Sequence, residues 1–304
     1  MRWLDTHVHV SDTAPDGSSR GDILPDLLAV LDRDEADLRF VVSCDSPAVG
    51  RMRTDADWLE RGNRFLHDLC TRSGGRLYGA CLVSPQFPEE SQRVLRLAAE
   101  EWGFVQYGEV LVDVVEAGLT RPEVMTSVEQ ATGYGLPIHV HVSTNYETGI
   151  GHMAQLLALA QALPHARYLV AHAIGGRMSD YYIDQLAPRL ARGENFWVEI
   201  RDFNNIAALS RALREIGSER LVAGTDWTNR VGPPYLPYGV LFDVPDNTSP
   251  MGRRQIRSVE DVPYTPSVAA LVGFLEEAGA TAAQIERIGW RNAAELYGLD
   301  WEKA

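Results

Sequence analysis

The stretch Trp3-Leu4-Asp5-Thr6-His7-Val8-His9 opens the chain as a short run of β-strand character that ends in two histidines spaced by one residue. Side chains alternate between the two faces of a strand, so His7 and His9 point the same way. A strand lining the interior of a parallel barrel fills that space mainly with branched aliphatics. Two imidazoles side by side there must be satisfied by a metal ion or by buried hydrogen bonds.

Outward from this stretch the same kind of run recurs. Strands are predicted at 3–9, 39–44, 77–82, 104–110, 137–142, 168–172, 196–200 and 221–225, each rich in β-branched or aromatic residues. Between them, 57–71, 88–101, 121–132, 150–163, 179–192 and 204–216 carry apolar residues at helical spacing, several with Asp, Ser, Asn or Pro near the start. Eight such units predict an α/β fold, a (β/α)8 TIM barrel, as a single domain over residues 1–304 with no repeat or linker. Two segments break the regularity, 11–21 after the first strand and 228–266 after the eighth, both rich in Gly, Pro and polar residues. Loops that follow strands gather on the catalytic face of such a barrel, so both are expected to form active-site loops, a lid or a specificity wall.

Composition narrows the partners. The 304 residues, 45% of them hydrophobic, suffice for one large core. A net charge of −14 disfavours phosphate backbones and anionic membrane surfaces, so a small-molecule substrate is expected, with no nucleic acid and no membrane. No apolar run approaches the roughly 18 residues of a membrane span, and Met1-Arg2-Trp3-Leu4-Asp5 lacks a signal-peptide core. Cys44, Cys70 and Cys81 are odd in number and form no CxxC, which fits reduced thiols and a cytoplasmic location.

The remaining candidates fall at the ends of later strands. Strand four carries Tyr107-Gly108-Glu109, strand five ends Ile138-His139-Val140-His141, strand six ends Val170-Ala171-His172, and strand eight runs through Gly224-Thr225 into Asp226. Barrel enzymes draw their catalytic residues from several strand ends, and imidazoles clustered with carboxylates are the donor set of zinc or a similar divalent ion. His139 shares a face with His141 but lies one step deeper, as a ligand or as a supporting histidine. His67, His152 and His165 fall in helices or a helix-ending loop and are read as ordinary polar residues. Cys44, near the end of strand two, is read as a small core residue in the absence of an obvious base. Arg201, Arg230 and Arg20 follow strands seven, eight and one and are candidates to clamp a substrate carboxylate. Trp227, Tyr107 and Tyr146 are candidate pocket walls.

Taken together, the His7/His9 pair, the Gly135-Leu136-Pro137 strand ending in His141, Ala171-His172-Ala173-Ile174-Gly175-Gly176, Gly224-Thr225-Asp226 and the terminal Asn292-Ala293-Ala294-Glu295-Leu296-Tyr297-Gly298-Leu299 resemble the amidohydrolase superfamily, in its amidohydrolase-related (amidohydrolase 2) branch of metal-dependent hydrolases. The ordered set spans nearly the whole chain. The resemblance implies that His7, His9, His141 and Asp226 hold a divalent metal, zinc in the first place with manganese or iron as alternatives, and that His172 ligates a second ion or contacts water and substrate. Glu109 resembles the strand-four glutamate that bridges two metals in TatD-like hydrolases of the same superfamily, so one or two ions remain open. It also implies an enzyme that cleaves a small ester, lactone, amide or related bond with metal-activated water, with Asp226 as acid-base and His172 polarising the electrophile. Arg201, Arg230 and Trp227 would bind substrate. The alternatives are a metal-dependent non-oxidative decarboxylase, a catalytically inactive binding barrel and a TatD-like nuclease, the last disfavoured by the acidic charge. A homodimer is a further family expectation.

Overall fold

The computed structural model describes residues 1–12, 19, 21–44, 51, 54–111, 118–228 and 267–301. Among the described residues nine parallel strands form one sheet: β1 Arg2–Val10, β2 Asp37–Cys44, β3 Leu77–Cys81, β4 Gln106–Val110, β5 Ile138–His141, β6 Tyr168–Ile174, β7 Phe196–Ile200, β8 Leu221–Ala223 and β9 Trp227–Thr228. Their order is β8-β7-β6-β5-β4-β3-β2-β1-β9. Since β9 follows β8 after only Gly224, Thr225 and Asp226, one extended segment pairs with β7 at its start and with β1 at its end. This closes the (β/α)8 barrel that the eight alternating units predict.

Six helices between strands follow the expected pattern, with shifts of a residue or two at most ends, and Leu24–Arg33 between β1 and β2 is additional to it. The largest difference is Tyr146–Ala162, which begins a turn before the expected 150 because Asn145 accepts a hydrogen bond from the Glu147 amide at the helix start. Asp55 caps Ala56–Arg72 and Asn205 caps Ile206–Glu215 in the same way. The apolar core lies mainly between sheet and helices, with Trp3, Phe40, Leu66, Tyr168, Phe196 and Leu209 among its buried members. A second, smaller cluster of Leu4, Val41, Ala80, Val105, Leu169 and Val222 packs with Ala293, Leu296 and Trp301 of the carboxyl-terminal region.

The strands are regular except where they carry candidate site residues. Register shifts fall between Asp5 and Val8 in β1, between Tyr107 and Val110 in β4, and between Val170 and Ile174 in β6. Each places one or more extra residues against a regular partner, which re-aims side chains that strict alternation would send elsewhere. At the first of them, Asp5 fastens the irregular backbone. Its carboxylate accepts the His7 amide at 3.0 Å, the Thr225 amide at 3.0 Å and the Thr225 hydroxyl at 2.5 Å, tying β1 to the end of β8. The Thr6 hydroxyl donates to the Ala223 carbonyl at 3.0 Å across the same seam.

The segments 11–21 and 228–266 lie almost wholly outside the described residues, as do Arg20 and Arg230. No helix among the described residues is long and apolar enough to cross a membrane. Asp5 is fully buried, so Asp5→Ala leaves three donors without their acceptor. The expected cost is about 3–5 kcal/mol in urea unfolding; a loss under about 1 kcal/mol would show that the seam does not depend on this carboxylate.

Candidate metal centre

Two groups of donors meet at the carboxyl ends of the strands, one on each side of Glu109. His7 Nε2 and His9 Nε2 lie 3.0 Å apart. Glu109 Oε2 is 3.4 Å from the first and 3.6 Å from the second, and Asp226 Oδ1 is 3.7 and 3.3 Å from them. The other oxygen, Oε1, faces the second group: His141 Nδ1 at 2.8 Å and His172 Nε2 at 2.9 Å. His7, His9 and Asp226 thus form one set of converging donors, and Glu109, His141 and His172 another.

Local backbone explains how these side chains reach one another. Gly108 has φ +116°, and a Cβ there would lie 2.3 Å from the His139 carbonyl oxygen, so only glycine lets β4 turn Glu109 into the site. His172 and Asp226 are the described non-glycine residues with positive φ, 58° and 56°. Left-handed backbone at such residues is unfavourable and is held by its surroundings. The His172 amide donates to Glu199 Oε1 at 3.0 Å, and the Asp226 amide donates to the His7 carbonyl at 2.9 Å.

Glu199, fully buried in β7, was not among the residues expected from the sequence. Both its oxygens lie 3.1 Å from His7 Nδ1, and Oε2 also meets His139 Nε2 at 2.9 Å. A Cβ on Gly224 would come within 2.6 Å of its side chain, so that glycine makes room for it. The signal for Glu199 is present in Phe196-Trp197-Val198-Glu199-Ile200, where an acid interrupts an otherwise apolar strand. Its position in the strand interior, below the rim, kept it from notice.

Donor chemistry shows that the first group fits a cation. His9 Nδ1 faces the Cys44 carbonyl at 3.1 Å, which can only accept, and His7 Nδ1 faces the Glu199 carboxylate. Both Nδ1 atoms therefore carry hydrogen, leaving two Nε2 lone pairs directed at each other, an arrangement that needs positive charge between them. The electrostatics agree. The His7 and His141 pKa values are raised against the cost of burial, by Glu199 and Glu109 for His7 and mainly by Glu109 for His141. That of His9 is raised chiefly by its hydrogen bond to Asp226. Burial alone would raise the carboxylates, yet Glu109 and Glu199 are held low chiefly by His7, and Asp226 chiefly by His172. Three clustered carboxylates kept ionised, two of them buried, are a demand for cations, met by protons in the metal-free protein and by a divalent ion when one binds.

His139 lies off both donor groups, between Glu199 and Gln106. Arg201 reaches the rim, but its Nε and Nη2 donate to Asp202 at 3.1 and 2.9 Å and its Nη1 lies 3.5 Å from Asp226 Oδ2. The fork expected to clamp a substrate carboxylate is thus engaged by Asp202. Trp227 is a correction: it is 1% exposed, with its ring against Phe40 at 5.9 Å in the core between sheet and helices, and is not a pocket wall. One residue beyond inward-facing Asp226, alternation turns it outward. Tyr107 is likewise buried in that core, whereas Tyr146 is exposed. Cys44 is a buried thiol directed at the Gly62 carbonyl, and His67 stacks on Trp102.

Comparison with known proteins places these observations in context. The family model described as Amidohydrolase matches residues 4–299. No curated protein matches the chain in sequence. Among solved structures, 2,6-dihydroxybenzoate decarboxylase complexed with 2,6-dihydroxybenzoate is 16% identical, with a TM-score of 0.67 over 99% of this chain and 100% of that one. A dihydroxybenzoic acid decarboxylase from Polaromonas sp. JS666 with bound manganese is 16% identical, with a TM-score of 0.66 over 98% and 97%. A probable 2-pyrone-4,6-dicarboxylic acid hydrolase from Acinetobacter baumannii, with citric acid bound, is 15% identical, with a TM-score of 0.62 over 98% and 100%. At these identities the likeness is one of fold.

A pH dependence follows from the raised histidines. Below a raised pKa the imidazole is protonated, so an ion must displace protons from His7, His9 and His141, and the competition strengthens as pH falls. Zinc titrated into metal-free protein at pH 7 is expected to release about one proton or more per ion, with affinity falling about tenfold or more from pH 7 to pH 6. Calorimetry in buffers of different ionisation enthalpy measures both; pH-independent binding would contradict the assignment.

Proposed function

From the premise that this chain belongs to the amidohydrolase family, we propose that it is a hydrolase that cleaves a small ester, lactone, amide or related bond at a centre of two divalent ions. The observation that carries this reading is the division of Glu109, whose Oε2 serves His7 and His9 while Oε1 serves His141 and His172. His7, His9 and Asp226 would hold one ion, His141 and His172 the other, with Glu109 shared. Four imidazoles with two carboxylates suit zinc, and manganese accepts the same set. Ions held there supply Lewis acidity and make water acidic enough to furnish a nucleophile near neutral pH.

The protein's own groups do the rest. Asp226 has the most exposed carboxylate of the site, its side chain 17% accessible against 6% for Glu109 and 0% for Glu199, so water and substrate reach it first. Held ionised, it accepts a proton from the attacking water and returns it to the leaving group. His172 Nδ1 is buried without a hydrogen-bond partner, 3.7 Å from Asp226 Oδ2, and is placed to hold a proton beside the developing negative charge. Arg201 keeps Asp226 oriented through Nη1.

Metal-dependent non-oxidative decarboxylation is the second reading; two of the similar structures are named as decarboxylases. It would need a cation to hold the departing carboxylate; of the three arginines expected near the site, Arg201 is bidentate with Asp202, and Arg20 and Arg230 lie outside the described residues. A screen of lactones, esters, amides and aromatic carboxylates in H2(18)O decides between them. Label in the organic product supports hydrolysis; release of carbon dioxide with no label in the organic product overturns it.

Two variants test the residue roles. Asp226→Asn is expected to keep most of the metal and to lose turnover by about 10²–10⁴-fold, whereas full activity would remove Asp226 from acid-base work. Glu109→Gln is expected to lower the metal content measured by elemental analysis from about two equivalents toward one; an unchanged content would show that Glu109 does not join two ions.

A further inference from the structure

Arg201 and Asp202 are consecutive, buried and oppositely charged, and they lie just past the end of β7. Neighbouring residues of a strand point to opposite faces, so these two side chains meet only because the strand has ended. The turn that brings them together is built by its neighbours. The Arg201 amide donates to the Ile174 carbonyl at 2.9 Å, and the Asn205 amide donates to the Asp202 carbonyl at 3.1 Å. Asn205 Nδ2 donates to the Gly175 carbonyl at 2.9 Å. Gly175 has φ +114°, and a Cβ there would lie 2.4 Å from the Asp202 amide nitrogen, so only glycine lets the end of β6 press against this turn.

The guanidinium is shared unequally. Nε and Nη2 meet the two Asp202 oxygens at 3.1 and 2.9 Å, a fork-to-fork pair, whereas Nη1 stands 3.5 Å from Asp226 Oδ2. Asp226 turns its other oxygen, Oδ1, to His9 Nε2 at 3.3 Å and His7 Nε2 at 3.7 Å. An arginine this close to a candidate ligand can oppose an ion in two ways. It can take the carboxylate in its own fork, and its positive charge repels a divalent cation nearby. Asp202 counters both, because it occupies the fork and matches the charge where both side chains are buried and screening is weak.

We propose that Asp202 is a positioning residue for the metal centre: it holds the Arg201 fork away from Asp226 and cancels the guanidinium charge, so that Asp226 stays available to the first ion. The proposal rests on the metal-centre reading above. Without the Asp202 charge, Arg201 turns its fork onto Asp226, and a cation must displace it in order to bind.

The test is zinc titration of metal-free protein under chelator competition at one pH, with urea unfolding of each protein as a check on the fold. It compares wild type, Asp202→Asn, Arg201→Met and the double variant. Asparagine keeps the shape of the side chain and removes its charge. In Asp202→Asn zinc is expected to bind about 10–100-fold more weakly, the range seen when a residue supporting a metal ligand is replaced. In the double variant, where no guanidinium remains to take Asp226, most of that loss is expected to be regained. A merely structural role would give a loss that the second substitution does not repair. Wild-type zinc affinity in Asp202→Asn overturns the proposal, as does a loss of equal size when Asp202→Asn is made in the Arg201→Met background. Should Asp202→Asn not fold, Asp202→Ser stands in for it and the same outcomes decide. If wild type binds no zinc, the metal-centre reading and the proposal fall together, whereas zinc binding that is indifferent to Asp202 overturns the proposal alone.

Discussion

Burying the Glu199 carboxylate in the middle of a barrel is the constraint around which the rest is arranged. An isolated charge there would cost several kcal/mol, and the cost is offset only where every side of the group meets a donor. His7 supplies one from β1, His139 one from β5, and the backbone of His172 one from β6. Gly224 in turn vacates the space that the side chain occupies. Removing any member would leave a buried charge partly unmatched, so the carboxylate specifies the relative placement of four strands. It also commits one face of His7, and a metal ligand with one nitrogen committed has a single nitrogen left to offer.

The backbone around the donors is irregular in a consistent manner. His7, Glu109 and His172 each lie within a register shift, and Asp226 lies in the gap between β8 and β9. His141, by contrast, ends a strand whose pairing with β6 is regular. Regular pleating would line up side chains at fixed intervals along each strand, which suits a packed core but not donors that must meet at a few ångströms from different heights. The shifts adjust those heights. Their unfavourable conformations, φ 58° at His172 and φ 56° at Asp226, are retained because both amides are bonded and both side chains face compensating charge.

Much of this was legible in the residues themselves. Eight alternating runs give the barrel, and the period-2 spacing of His7 and His9, together with acids and imidazoles at later strand ends, points to the donors. What escaped reading did so for physical reasons. Glu199 sits deeper than the rim, where an acid signals a buried network rather than a substrate contact. Trp227 faces the helices because the alternation that turns Asp226 inward turns its neighbour outward. Arg201 is where the sequence puts it, but its pairing with Asp202, the next residue in the chain, is a matter of side-chain geometry that no spacing rule reveals. The bulges are equally silent, since each depends on which residue of the adjacent strand it faces.

The seam where β9 meets β1 has one more consequence. Val8 pairs with Trp227 and His9 with Thr228, so the donors of the first ion position come from segments more than two hundred residues apart that touch only once the circle of strands is complete. A chain still emerging during synthesis, or one cut short before this segment, has the histidines and Glu109 but lacks the Asp226 carboxylate that meets them. The complete donor set is therefore assembled only when the strand that closes the circle is in place.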